Sequence, residues 1–146
     1  MRAASDRSRL AAGVTGGVLL AQLAVLRLVS TANEQFVTLA GRELHWGCAF
    51  RDAFGIPCPN CGMTRSVVFS LHGDLARAFE MNPAGPLLVA GGLVLGALLL
   101  ASAFRRPRAA ARPPAHTFMR RVVVGTAAYG GLVFVVLLAN WLRQIT

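Results

Sequence analysis

Gly85-Pro86-Leu87-Leu88-Val89-Ala90-Gly91-Gly92-Leu93-Val94-Leu95-Gly96-Ala97-Leu98-Leu99-Leu100-Ala101-Ser102-Ala103-Phe104 contains no charged residue. An apolar run of about 20 residues, rising ~1.5 Å per residue as a helix, crosses a ~30 Å hydrocarbon core. Two further runs qualify. Residues 10–29 are apolar apart from Thr15, Gln22 and Arg27, and residues 122–142 are uncharged up to Arg143. Arg27 sits near the end of its run, where a long side chain reaches the interface. Hydrophobic residues make up 55% of the 146-residue chain and charged residues 14%, well below the roughly one quarter of a soluble domain. The pattern predicts an all-α membrane protein with three transmembrane helices.

The first run has the basic start of a signal peptide, and Ser30-Thr31-Ala32 is a weak cleavage site. It is longer than a signal core, so it reads as a retained helix. The formal charge of +9 comes from arginine alone. These arginines cluster at the ends of apolar runs without interleaved aromatics, which excludes a nucleic-acid surface and fits membrane topology. The tail, residues 1–9, holds Arg2, Arg7 and Arg9 against Asp6, and residues 105–121 hold six arginines and no acid. Residues 30–84 hold four arginines against five acids. The expected arrangement has the tail and the 105–121 loop cytoplasmic and residues 30–84 extracytoplasmic, in a bacterial cytoplasmic membrane. The proline- and arginine-rich connector reads as disordered and able to meet anionic lipid. Gly13/Gly17, Gly92/Gly96 and Ala127/Gly131 are small-residue pairs suited to close helix contact within the chain, with another membrane protein or in a homo-oligomer.

Chemistry concentrates in the loop, at Cys58-Pro59-Asn60-Cys61-Gly62-Met63-Thr64-Arg65. Thr64 or Ser66 is placed to cap a helix presenting Val67, Val68, Phe69 and Leu71 to apolar surroundings. Gly73 reads as its stop, Asp74 as the N-cap of a second short helix, and Asn82-Pro83 as the break before the second span. Both helices are expected at the membrane interface.

Three chemistries fit the cysteines. Cys48, Cys58 and Cys61, with His45 or alternatively His72, form a ligand set for tetrahedral Zn²⁺, Pro59 stiffening the turn and Gly62 relaxing it. Cys58 and Cys61 ahead of a helix, with Arg65 nearby, also fit a thiol–disulfide oxidoreductase, although no thioredoxin-like pattern surrounds them. A structural disulfide or buried thiols pinning the loop is the third reading. Arg65 is expected to pair with Asp52 or Asp74. No serine motif, paired carboxylates or phosphate-binding glycine loop accompanies His72-Gly73-Asp74, which points away from an enzyme.

Cys48, Cys58-Pro59-x-Cys61-Gly62-x-Thr64-Arg65, His72-Gly73-Asp74-Leu75, Ala78, Asn82-Pro83 and the closing Trp141-x-Arg143 together resemble a bacterial family of small membrane proteins, a domain of unknown function. Ala49 departs from that pattern, where members often carry proline. The resemblance spans about residues 45–142 and implies an integral membrane protein without a settled activity. The resulting reading is an accessory or scaffold module with a zinc-binding or structural thiol turn. The alternative is a membrane thiol–disulfide oxidoreductase using Cys58 and Cys61, and a small transport or lipid-handling component is a third.

Overall fold

A computed structural model describes residues 2–33, 35–44, 48–56, 58–104 and 115–145. In chain order the elements are α1 (Arg2–Val29), β1 (Ser30–Ala32), β2 (Val37–Leu39), β3 (Arg42–Leu44), α2 (Ala49–Phe54), α3 (Met63–His72), α4 (Leu75–Met81), α5 (Ala84–Phe104) and α6 (Ala115–Ile145). Three helical stretches are long and apolar enough to cross a membrane: Arg9–Val29, Ala84–Phe104 and Val123–Ile145. No more than 11% of any of these windows is buried inside the chain. Most of their leucines and valines therefore lie outside the chain's own core.

Close approach of α1 to α5 organises the bundle. A Cβ on Gly16 would lie 2.8 Å from the Gly96 carbonyl oxygen and the Leu100 amide nitrogen, and one on Gly96 would meet Leu20 at 2.8 Å. Gly13 faces Ala103, and Gly92 faces Leu23. Contacts therefore run in opposite chain directions, so the two helices are antiparallel. Small residues let their backbones pack, since van der Waals contact must replace the hydrophobic drive that lipid removes. The Gly13/Gly17 pairing is corrected in one member. Gly17 faces open space, and Gly16 is the contact residue.

Helix α6 is held more lightly. Tyr129 donates its hydroxyl to the Leu87 carbonyl, and its ring lies where a Cβ on Gly91 would project. Gly125, Gly130 and Gly131 face open space, so the Ala127/Gly131 pair is not an intrachain seam.

The segment between the first two spans holds an antiparallel sheet, order β1-β2-β3, that the helical reading of the loop lacked. Ser30 pairs with Leu39, and Val37 with Leu44. The Asn33 carboxamide accepts the amides of Gln35 and Phe36 at 2.9 and 2.8 Å, closing the first turn. Ala40 (φ 49°) and Gly41 (φ 79°) form the second, a two-residue connection whose positive φ values match strand twist. Helix α2 is a further addition, ended by Gly55 at φ 70°. The two short helices expected after the cysteine turn are α3 and α4. Buried Val68, Phe69 and Leu71 of α3 meet Ala78 of α4 and Ala84 and Val89 of α5. The 105–114 connector, expected to be disordered, lies outside the described residues.

The glycine contacts make a discriminating expectation. Gly16→Leu should destabilise the protein by about 1–3 kcal/mol through overpacking. Gly17→Leu, into open space, should stay within about 0.5 kcal/mol. Unfolding of both variants in mild detergent checks the pair.

Candidate metal centre

The turn begins with the Cys61 amide donating to the Cys58 carbonyl at 3.0 Å, followed by Met63 to Asn60 at 3.1 Å. Gly62 then takes φ 77°, a region L side chains avoid, and a Cβ there would stand 2.9 Å from the Met81 carbonyl oxygen. Both constraints demand glycine. Gly62 is itself the N-cap of α3, with no side-chain cap bond. This corrects the capping role assigned to Thr64 or Ser66. Ser66 is instead fully buried, its hydroxyl directed at the carbonyls of Ala78 (2.7 Å) and Asn82 (2.6 Å). It thereby adds a second donor to carbonyls that already accept the Asn82 and Gly85 amides, tying α3 to the end of α4.

Asn82 holds the turn from behind. Its Nδ2 donates to the Pro59 carbonyl at 3.3 Å and the Cys61 carbonyl at 3.2 Å. Its Oδ1 accepts the Ala84 amide at 3.1 Å, where α5 starts. The residue is 0% exposed. Pro83 steers it to an extended backbone (φ −163°, ψ 115°), which separates α4 from α5. The Asn-Pro pair is thus a brace on the cysteine turn as well as a helix break. Sequence spacing carried no sign of that contact.

Cys48 arrives from the other side as the N-cap of α2, with Asp52 donating its amide to the Cys48 carbonyl at 2.9 Å. The Sγ atoms of Cys48, Cys58 and Cys61 all lie within 4.8 Å of one another, and the three thiols are free. Sulfurs around one tetrahedral zinc, each ~2.3 Å from it, stand ~3.8 Å apart. The cluster is therefore near the size of three corners of that tetrahedron. A cleft of about 590 Å³ opens over it, bordered by Phe36, by Val37 of β2 and by Arg51, Asp52 and Arg65.

The three thiols are unequal. The Arg51 backbone amide is the largest influence lowering the Cys48 thiol below its ordinary 9.0, followed by the Cys58 thiol. Burial, then the neighbouring Cys61 and Cys48 thiols, pushes Cys58 up to about 11. Negative charge settles first on Cys48. A cation would favour ionising Cys58 beside it.

The remaining sequence-derived residues divide. His72 does not join the sulfurs. Its Nε2 is hydrogen-bonded to the Ser30 carbonyl at 2.7 Å, which ties α3 to β1. His45 lies outside the described residues. Gly73 (φ 86°) closes α3, its amide donating to Phe69 and Ser70. Asp74 caps α4 through the Arg77 amide and forms its ion pair with Arg77 at 3.4 Å, correcting the expected Arg65 partner. Arg65 borders the cleft together with Asp52.

Residues 48–96 match the family DUF2752, proteins of unknown function. The resemblance to a family of unknown function holds, over a shorter range than the motif suggested. The match starts at Cys48 and ends at Gly96, so Trp141 and Arg143 fall outside it. No curated protein and no solved structure matches the chain.

Two outcomes follow from the geometry. Asn82→Ala strips the Pro59 and Cys61 carbonyls and the Ala84 amide of their partner, and should cost about 2–4 kcal/mol. Zinc affinity should also fall by roughly tenfold or more, as when other supporting residues around a metal are removed. Thermal unfolding and competition with a chelator measure the two effects. In metal-free protein, alkylation by iodoacetamide follows the thiolate, so raising the pH should modify Cys48 before Cys58. Cys58 should gain reactivity only as the pH approaches about 11, read by peptide mass spectrometry.

Proposed function

We propose that this chain is a non-enzymatic accessory or scaffold protein of the bacterial cytoplasmic membrane, whose extracytoplasmic loop is locked by one zinc ion. The observation that carries this reading is the convergence of three thiols within 4.8 Å from two separate segments of the loop. Cys48, Cys58 and Cys61 are the thiolate ligands. His45, three residues before Cys48, is the fourth. A bound dication would offset the charge of thiolates that otherwise share protons, and would join α2 to the turn that starts α3. Gly62, Thr64, Arg65, Gly73, Asp74, Asn82 and Pro83 are structural residues in this reading. Gly62 and the Asn82-Pro83 brace shape the ligand turn, and Gly73 and Asp74 join α3 to α4.

Arginine placement supports the orientation. Residues 1–9 and 105–121 are cytoplasmic. Residues 10–29, 85–104 and 122–142 span the bilayer, and residues 30–84 lie outside. Two spans separate the arginine-rich segments, which puts both on one side, so the two charge signals agree.

The rival is a thiol–disulfide oxidoreductase using Cys58 and Cys61. Two features weigh against it. A third sulfur lies within the same 4.8 Å of that pair, and burial makes Cys58 a poor thiolate. Attack on a disulfide needs the thiolate.

Metal analysis of protein purified in mild detergent separates these readings. The expected result is about one zinc per chain, with all three cysteines protected from alkylation until a chelator is added. Serine at any one of the three positions should lower zinc content and thermal stability together. Metal-free protein with a Cys58–Cys61 disulfide that cycles with a dithiol reductant would establish the rival instead.

A further inference from the structure

Gln22 stands in the first span, seven residues before the end of α1 at Val29. At ~1.5 Å per residue that places it ~10 Å inside the hydrocarbon. Its side chain is exposed and makes no hydrogen bond among the described residues. Lipid tails offer a primary amide neither donor nor acceptor.

The surroundings of Gln22 form a seam. Gly13, Gly16, Leu20 and Leu23 occupy the face of α1 turned to α5. On the opposite face Ala11, Thr15, Val18, Gln22, Val25 and Val29 are all exposed. They follow one another at alternating steps of four and three, the spacing of a left-handed helix pair. A shallow groove of about 370 Å³ runs along its outer half, lined by Val18, Ala21, Gln22, Val25, Leu26 and Val29.

We infer that two copies of this chain pair through this face of α1, in parallel about a two-fold axis along the membrane normal, with their Gln22 amides hydrogen-bonded to each other. Three properties select a second copy as the occupant. A carboxamide carries both donor and acceptor, so two of them satisfy each other reciprocally. Copies inserted in the same sense hold Gln22 at the same depth without further adjustment. A single amide within the seam fixes its register. The seam is isologous, so the assembly closes at two chains. The inference is independent of the thiol cluster.

The full-length chain, tagged at its N-terminus with donor or acceptor fluorophores, is reconstituted into phosphatidylcholine vesicles, and energy transfer is followed as lipid dilutes the protein. Wild type should show transfer that fades on dilution. Gln22→Leu should weaken association about five- to tenfold, the effect of losing two intramembrane hydrogen bonds. Gln22→Asn, which keeps the amide, should stay within about twofold of wild type. Gly131→Leu, on an open face of α6, should change nothing. Gln22 touches no other described element, so Gln22→Leu should keep the wild-type circular dichroism spectrum. Absence of transfer in wild type would overturn the inference, the face then being covered by lipid. Transfer indifferent to Gln22→Leu, or sensitive instead to Gly131→Leu, would overturn it equally.

Discussion

One carboxamide sets where the sulfurs stand relative to the membrane. Asn82 lies at the junction of α4 and α5, and its Nδ2 is shared between two carbonyls of the cysteine turn. Its Oδ1 receives the first amide of α5 after the proline, which has none to give. Each polar atom of this fully buried side chain has a partner in a different structural unit. Losing the side chain would leave several buried groups unmatched at once, which costs more than any single bond contributes. The neighbouring contacts leave no slack. Gly62 passes the Met81 carbonyl, and Gly85 passes the Ser66 side chain, without room for a Cβ at either. The loop buries few large apolar side chains, so its shape rests on these polar and close backbone contacts more than on hydrophobic burial.

The thiol cluster is consistent with that economy. A disulfide between Cys58 and Cys61 would close a loop within one turn and leave Cys48 unattached. An ion held by all three would tie α2 to the start of α3 across the intervening residues. The protonation pattern points the same way. Cys48 is stabilised as thiolate, whereas Cys58 is held as thiol by burial and by its two neighbours. Such a pair gains from a dication, which offsets the influences that hold the Cys58 proton in place.

Much of the membrane architecture was legible in the residues. The length of the uncharged runs gave the three long helices, and Gly73 and Asp74 punctuated α3 and α4 through their own backbone and side-chain chemistry. The sheet was hidden because strands of three residues such as Val37-Thr38-Leu39 are too short to show alternation against surrounding apolar sequence. The helix start was misread for a different reason. Thr64 and Ser66 are good capping residues, but an αL glycine already forms the cap, and the Ser66 hydroxyl turns instead to the carbonyls of Ala78 and Asn82. Cys48 was correctly grouped with Cys58 and Cys61 by residue type, whereas His72 shared the type and not the place, its ring being tied to Ser30. The register of the α1–α5 contact differed by one glycine, since spacing alone does not say which of Gly16 and Gly17 faces the partner.

The limits of the family match have a structural sense. It opens at the first sulfur, Cys48, and closes at Gly96, where α1 packs most tightly on α5. Between those points lie the cysteine turn, the Ser66 and Asn82 contacts, both short helices and the half of α5 that bears the glycines. These parts constrain one another atom by atom, and few residue types fit at Gly62, Ser66, Asn82 or Gly85. Helix α6 must chiefly be apolar, long enough and able to place Tyr129 on Leu87, a demand many sequences meet. Helix α1 answers to two surfaces, one shaped by Gly13 and Gly16 against α5 and one carrying Gln22 toward lipid. An amide at that depth makes no hydrogen bond among the described residues, so it adds nothing to the fold of the single chain.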